Sequence, residues 1–192
     1  MSIYIIAGLG NPGPNYQWTR HNAGFLFLDR LAHLENSSIS RKTFSGLAGE
    51  WNYEGNRHVL LKPQTFMNLS GRSVMQALQF YKLPLSRLIV VHDELDLPFG
   101  TVRLKLGGGH GGHNGLRSIM EQLGKGDFIR LRIGIGKPAH GDTVNYVLGS
   151  IPPEQMESLP RILDGGLDML EMLLDEGLPK AMSLFNNRNF LE

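Results

Sequence analysis

Apolar segments typical of β-strands recur along the first two thirds of the chain. Ile3–Ala7 is rich in β-branched and aromatic residues, and Leu88–Val91 is apolar at every position, as in a strand buried on both faces. Four further strands are predicted from loose alternation or from strand-forming residues. They are Phe44–Tyr53, Arg57–Lys62, Thr101–Leu106 and Phe128–Gly136. Gly55 and Asn56 favour a hairpin turn between the first two of these.

Segments with apolar residues at every third or fourth position lie between and after these strands, and they predict helices. They are Asn22–Glu35, Asn68–Lys82, Gly115–Leu123, Pro153–Asp164, Gly166–Glu176 and Pro179–Asn186. Pro160 is expected to break or kink the fourth helix, because proline lacks the backbone N–H that a helix interior uses. The polar segment Asn36–Lys42 is predicted to be a connector.

The interleaving of strands and helices predicts an α/β fold. We expect a single domain over residues 1–192, built on a mixed, twisted β-sheet flanked by helices, with helices at the C-terminus. The hydrophobic share of 41% and the charged share of 19% are ordinary for a soluble globular protein.

The absence of cysteine excludes disulfides, thiolate nucleophiles and zinc sites built on cysteine. The chain opens without a basic and then apolar leader, and no apolar run approaches the roughly 20 residues that span a bilayer. We therefore expect a cytoplasmic protein without a membrane segment.

The net charge of +1 hides an uneven distribution of charge. The segment Gly100–His140 holds seven basic and two acidic residues, whereas the chain from Ile151 onward holds three basic and eight acidic ones. A basic middle beside an acidic end predicts that a polyanion binds the middle segment. A pair of solvated faces without a charged partner would give the same pattern.

Polar residues with catalytic chemistry follow three predicted strands, in the loops Gly8–His21, His92–Asp96 and Gly107–Asn114. Such loops can converge on one crevice at the edge of an α/β sheet. His21 and Asp93 would then form a general base with an orienting carboxylate, because histidine titrates near neutral pH and a carboxylate stabilises its imidazolium form. The sequence has neither cysteine nor a Gly-x-Ser-x-Gly turn, so this pair predicts direct attack by water.

Three asparagines lie in or beside the loops and connecting segments: Asn11, Asn68 and Asn114. An amide both donates and accepts hydrogen bonds, so each could grip a peptide backbone, hold the attacking water or stabilise an oxyanion. Each also fits the ordinary role of a turn or N-cap residue.

A dinucleotide site is one alternative interpretation. Gly8, Gly10 and Gly13 match the G-x-G-x-x-G fingerprint after a strand. However, Pro12 and Pro14 prevent the immediate helix whose N-terminus would hold a pyrophosphate, which disfavours this interpretation.

A metal-dependent hydrolase is a second alternative. Its ligands would come from the group His92, Asp93, Glu94, Asp96, His110 and His113. Two histidines at this spacing usually need a helix to bring both rings to one side, whereas His110 and His113 lie in a glycine-rich loop. A third alternative is an RNA-binding module that uses the basic segment and catalyses nothing.

Four motifs together resemble the signatures of bacterial peptidyl-tRNA hydrolases. In order along the chain they are YQWTRHNAG at residues 16–24, TFMNLSG at residues 65–71, HDELD at residues 92–96 and GGGHGGHNG at residues 107–115. The resemblance extends from about Ile3 to Leu148, and four separate motifs make it specific. The terminal helices match only in general character.

This resemblance implies hydrolysis of the ester that joins a peptide to the 3′ ribose of tRNA, which recycles tRNA from stalled translation. It also implies a monomer that acts without a metal or cofactor and without an obligate protein partner. By position, His21 is the general base and Asp93 its partner. The resemblance further implies three groups of binding residues. Peptide and water would be held by Asn11, Asn68 and Asn114, the crevice lined by Tyr16 and Met67, and the tRNA 5′ phosphate gripped by Lys105 and Arg132.

Overall fold

The structure is a computed structural model that describes residues 2–192. Its strands are β1 (Ile5–Gly8), β2 (Ile39–Thr43), β3 (Gly46–Tyr53), β4 (Asn56–Pro63), β5 (Leu88–Glu94), β6 (Val102–Leu106) and β7 (Ile129–Gly134). Its helices are α1 (Ala23–Leu34), α2 (Ser70–Tyr81), α3 (Asn114–Leu123), α4 (Thr143–Val147), α5 (Pro153–Glu176) and α6 (Leu178–Phe185). Three short 3₁₀ turns, Arg20–Asn22, Met67–Leu69 and Leu85–Arg87, complete the regular structure of these residues.

All seven strands form one mixed sheet in the order β2-β3-β4-β1-β5-β7-β6. The four central strands β4, β1, β5 and β7 are parallel, while β2, β3 and β6 run antiparallel to their neighbours. The predicted α/β fold with a mixed sheet is therefore confirmed. Asn186 pairs with the edge strand β6, because its side chain accepts a hydrogen bond from the Leu104 amide at 2.9 Å and donates to the Leu104 carbonyl at 3.0 Å.

Side-chain alternation along the strands builds a core on each face of the sheet. Ile6 and Ile89 point to one face, where helices α1, α5 and α6 cover them. Ile5 and Val90 point to the other face, which α2 and α3 cover. None of the helices within residues 2–192 combines the length and the apolar character needed to cross a membrane.

Two glycines let the start of α1 touch the sheet directly. A Cβ atom on Gly24 would lie 2.4 Å from the Val91 carbonyl oxygen, and one on Gly8 would lie 2.3 Å from the Gly24 carbonyl oxygen. Real Cβ atoms do not approach other atoms so closely, so only glycine fits both positions. This contact places the 3₁₀ turn that carries His21 at the carboxyl end of β1 and β5.

The structure corrects several element predictions. The predicted connector Asn36–Lys42 contains most of β2, an exposed edge strand whose polar sequence gives no apolar pattern. The strand that contains Leu88–Val91 continues to Glu94, so His92 and Asp93 lie within β5 and not after it. The short helix α4 was not predicted.

The first two of the three predicted terminal helices are one continuous helix, α5, which passes through Pro160. Its buried residues, including Ile162 and Leu170, pack against the sheet core. This packing stabilises the helix although Pro160 cannot donate a backbone hydrogen bond. Gly165, which lies between the two predicted helices, has a packing role within α5. A Cβ atom on Gly165 would overlap the Phe190 ring, at 2.2 Å from its nearest atom.

Candidate active site

A cavity of about 290 Å³ opens at the carboxyl ends of β1 and β5. Its lining comes from the loop after β1, the Met67–Leu69 turn, the end of β5, the glycine-rich loop before α3, and α4. His21, Asp93 and the three asparagines identified from the sequence all line it: Asn11, Asn68 and Asn114. The crevice therefore lies where the open edge of a parallel sheet places ligand sites.

Asp93 joins two histidines at the floor of the cavity. Its carboxylate oxygens lie 3.0 and 2.9 Å from His21 Nδ1, and one of them accepts a hydrogen bond from His113 Nε2 at 2.8 Å. The two imidazole rings lie 4.9 Å apart between centroids. Because an ionised carboxylate only accepts hydrogen bonds, the facing nitrogen of each ring carries a proton. His21 is therefore left with Nε2 as its free lone pair on the cavity side.

The backbone of α3 fixes the tautomer of His113. Its Nδ1 atom accepts hydrogen bonds from the Gly115 and Leu116 amides at 3.1 and 3.3 Å, so His113 caps the helix N-terminus. A nitrogen that accepts from two N–H groups holds no proton, which leaves the proton on Nε2, facing Asp93. His113 is thus a neutral donor that holds the carboxylate in place.

The three groups shift one another's pKa values. Burial by itself would lower the pKa of His21, but the charge of Asp93 and the hydrogen bond to it outweigh burial, and the pKa is raised. Burial by itself would raise the pKa of Asp93, but the two histidines lower it well below its usual range. Asp93 therefore stays ionised near neutral pH although it is only 2% exposed.

The metal ligands considered from the sequence do not assemble as a group. His92 is buried and does not line the cavity, and burial lowers its pKa to about 3. The ligand atoms that do lie within 4.8 Å of one another are those of His21, Asp93 and His113. Here the Nε2 proton of His113 occupies the position of the metal-binding lone pair, so the donor set is poorly matched to a cation.

The side chain of Asn22 organises the loop after β1. It accepts a hydrogen bond from the Asn11 backbone N–H at 2.8 Å and donates to the Asn11 backbone carbonyl at 3.0 Å. Although Asn22 lies at the N-cap position of α1, its side chain makes no capping hydrogen bond. The Asn11 side-chain oxygen in turn accepts from the Met67 amide at 2.7 Å. The Asn11 side-chain nitrogen Nδ2, which makes no hydrogen bond within residues 2–192, is left for a ligand in the cavity.

The other predicted crevice residues are placed differently from one another. Asn68 is exposed at the rim, and the Asn114 side-chain oxygen accepts a hydrogen bond from Arg117 at 3.2 Å. Met67 is buried and lines the cavity. Tyr16 does not line the cavity, whereas Phe66 does. The two rings pack edge-on, with 6.4 Å between their centroids.

Lys105 and Arg132 lie on β6 and β7, and Arg132 is 3.7 Å from the carboxylate of Glu94, which lines the cavity. Strands β6 and β7 pair Arg103 with Arg132 and Lys105 with Arg130. Paired residues in an antiparallel sheet share a face, and so do alternate residues of one strand, so all four basic side chains lie on the face opposite Leu104. We call this group the basic face.

Comparison with known proteins agrees with these motifs. A family model described as peptidyl-tRNA hydrolase matches residues 5–192. A relative from Pelobacter propionicus, named peptidyl-tRNA hydrolase, is 88% identical over 100% of both chains, and one of the same name from Trichlorobacter lovleyi is 71% identical over 100% of both. The chain belongs to the peptidyl-tRNA hydrolase family.

Solved structures of peptidyl-tRNA hydrolases share this fold. The crystal structure of the Acinetobacter baumannii protein aligns with a TM-score of 0.91 and 41% identity, covering 99% of this chain and 98% of that one. The family resemblance predicted from the four motifs is therefore confirmed, and the match also includes the terminal helices.

Two features of this site were missed by reasoning from the sequence. His113 was considered only as a metal ligand, because the helix predicted from Gly115 would take Asn114 as its N-cap, whereas α3 begins at Asn114 and His113 caps it. Helix α4, which contributes Val144 and Val147 to one wall, has too few residues to show helical periodicity.

Proposed function

We propose that the protein hydrolyses the ester between a peptide, or an N-blocked aminoacyl group, and the 3′ ribose of tRNA. The products are free tRNA and peptide, so the reaction recycles tRNA from stalled or abandoned translation. Family membership over residues 5–192 supports the reaction. The observation that carries the proposal is the hydrogen-bonded group His21–Asp93–His113 on the floor of a cavity beside the basic face.

In the proposed mechanism, His21 Nε2 takes a proton from a water molecule as that water attacks the ester carbonyl. Asp93 holds His21 Nδ1–H and stabilises the imidazolium that forms. The imidazolium then returns the proton to the 3′ oxygen of the ribose as the ester bond breaks. No covalent intermediate is needed, because an acyl ester is activated enough for direct attack by water.

The asparagines would supply hydrogen bonds where charge develops. The Asn11 side-chain nitrogen Nδ2 can donate into the cavity, because the Met67 amide holds the Asn11 side-chain oxygen and Asn22 holds the Asn11 backbone. A donor held in this way stabilises an oxyanion without reorganising during the reaction. Asn68 and Asn114, at the rim, would bind the peptide end and help to place the water.

The basic face would hold the phosphate at the 5′ end of tRNA through Lys105 and Arg132. Lys105 is exposed, and the Arg132 guanidinium has one carboxylate nearby, that of Glu94 at 3.7 Å. Contacts of this kind position a nucleic acid without reading its sequence, and they weaken with salt. We further propose that the protein acts as a monomer in the cytoplasm, where translation supplies its substrate.

The deciding experiment is to incubate the protein with N-acetyl-aminoacyl-tRNA in the presence of a chelator and to measure the released acyl group. We expect release that a chelator does not inhibit. Inhibition that zinc or manganese reverses would favour the metal-dependent alternative. Binding of tRNA without release at any protein concentration would favour the RNA-binding module.

A further inference from the structure

Arg130 is a buried arginine that donates hydrogen bonds to three glycine carbonyls and a weaker one to Met120 Sδ at 3.9 Å. Its guanidinium donates to Gly109, to Gly108 at 2.6 Å and to Gly126 at 3.3 Å, and the side chain is stacked near the Phe128 ring at 4.7 Å. Only 2% of the residue is exposed. No carboxylate lies within ion-pair distance of it in residues 2–192, so the groups that bind its guanidinium directly are mainly backbone carbonyls.

This environment is unfavourable for a positive charge, which requires an explanation. Burial, and after it the charge of Arg132, lower the pKa of Arg130 from its ordinary value. A buried charge costs stability unless it is paired and hydrogen-bonded, so we expect the hydrogen bonds of Arg130 to have a role. The positions of the three carbonyls indicate that role.

The carbonyls lie at both ends of the segment that presents His113. Gly108 and Gly109 are in the glycine-rich loop before α3, and Gly126 follows α3. Both ends are also packed tightly, since a Cβ atom on Gly126 would lie 2.9 Å from the Gly108 carbonyl oxygen. The planar guanidinium therefore clamps the start of the loop to the end of the helix, and His113 lies between these points.

The same loop contacts the proposed phosphate-binding lysine. Lys105 is paired with Arg130 across the two strands, and a Cβ atom on Gly108 would lie 2.8 Å from Lys105 Nζ. Gly108 also has a φ of 102°, which favours glycine. The loop thus connects the basic face with the residue that orients Asp93.

We propose that Arg130 is a positioning residue for the hydrolysis: it holds the glycine-rich loop in the form that delivers His113 Nε2–H to Asp93. This inference rests on the proposed function. Arg130 itself touches neither substrate nor the reacting atoms, and acts through His113 on Asp93 and so on the base His21.

The test compares three variants on two substrates. Arg130→Met removes all three hydrogen bonds, Arg130→Lys keeps the charge but replaces the planar fork by a point donor, and Lys125→Met is a control that removes an exposed charge next to the same turn. One substrate is N-acetyl-aminoacyl-tRNA with its 5′ phosphate. The other is the same acyl group on a CCA trinucleotide, which lacks the tRNA 5′ end.

We expect both Arg130 variants to lower kcat on both substrates, by about 10- to 100-fold, because small displacements of catalytic groups have effects of this size. We expect Lys125→Met to match the wild type. The Gly115 and Leu116 amides donate hydrogen bonds to His113 Nδ1. We expect their hydrogen exchange to become faster in the Arg130 variants, while Tm changes little.

A higher KM confined to the phosphate-bearing tRNA, with kcat on the trinucleotide unchanged, would overturn the proposal and make Arg130 a phosphate contact. Unchanged amide exchange in folded Arg130→Lys would overturn it as well, and that variant decides the matter if Arg130→Met does not fold. An inactive wild type would refute the proposed function instead, and the exchange measurement would still test the role of the loop.

Discussion

At the scale of single residues, the proposed chemistry depends on one carboxylate that two imidazoles share. Asp93 accepts from His21 and from His113, and the backbone contacts of His113 prevent that ring from taking the proton away. In the proposed mechanism, His21 is therefore the group that gains and loses a proton. The sequence predicted the pair His21–Asp93, because residue chemistry and loop position suffice for that. It could not predict the third member, since this contact depends on how α3 packs.

Replacement of His21 tests the base directly. In His21→Ala we expect kcat to fall by about 10²- to 10⁴-fold, the usual contribution of general base catalysis. The Kd for tRNA should change little, since the basic face is untouched. Single-turnover hydrolysis and tRNA binding measure the two effects separately. An equal loss of binding and turnover would mean that His21 mainly supports the fold.

Asp93→Asn tests the orientation and the pKa of His21. An amide offers one accepting oxygen where the carboxylate offers two, so it cannot accept from His21 and His113 equally, and we expect kcat to fall by about 10²- to 10⁴-fold, as for comparable triads. Activity needs unprotonated His21, so kcat/KM falls as pH drops through its raised pKa. Without the charge of Asp93, burial remains and that pKa falls. The acid limb of the profile should therefore move to lower pH, and a limb that stays in place would contradict this account.

At the scale of elements, the site depends on how closely α1 and α3 approach the sheet. Strands β1 and β5 could be predicted from the sequence because buried strands consist largely of apolar residues. The edge strand β2 could not, since its polar side chains face solvent and only pairing with β3 makes it a strand. The prediction divided α5 between Asp164 and Gly166 and expected a break or kink at Pro160, because local propensity disfavours helix at glycine and proline, whereas tertiary packing decides the outcome.

Gly24→Ala tests the contact between α1 and the sheet. The new methyl would meet the Leu9 amide nitrogen at 2.3 Å and the Val91 carbonyl oxygen at 2.4 Å, both in strands or loops that cannot move aside cheaply. We expect the free energy of unfolding to drop by about 1–3 kcal/mol, as for other overpacked sites. We also expect kcat to fall, because α1 carries the turn with His21.

Gly109→Ala is the matched control for stability, since a Cβ atom there meets nothing within 4 Å. Thermal unfolding of the two variants measures the difference. An equal Tm in both would show that the close approach of α1 to the sheet is not required.

At the scale of the whole molecule, the two faces of the sheet differ in charge. One face near β6 and β7 carries the basic side chains, and the opposite face is covered by α5 and α6, where much of the acidic C-terminal segment lies. The uneven charge along the sequence thus becomes an uneven charge in space. This arrangement would attract the negatively charged backbone of tRNA to the basic face rather than to the face covered by α5 and α6.

Lys105→Ala tests this division of charge. Loss of one phosphate contact should raise KM for peptidyl-tRNA and reduce the slope of log affinity against log salt by about 0.7–0.9, the value for one neutralised phosphate. kcat should change much less, because Lys105 lies outside the cavity. Lys180→Ala is the matched control, since it removes the same charge from an exposed position on α6, against the other face of the sheet. If both variants change KM and the salt slope equally, tRNA responds to net charge and not to the basic face, and the proposed position of the 5′ phosphate is wrong.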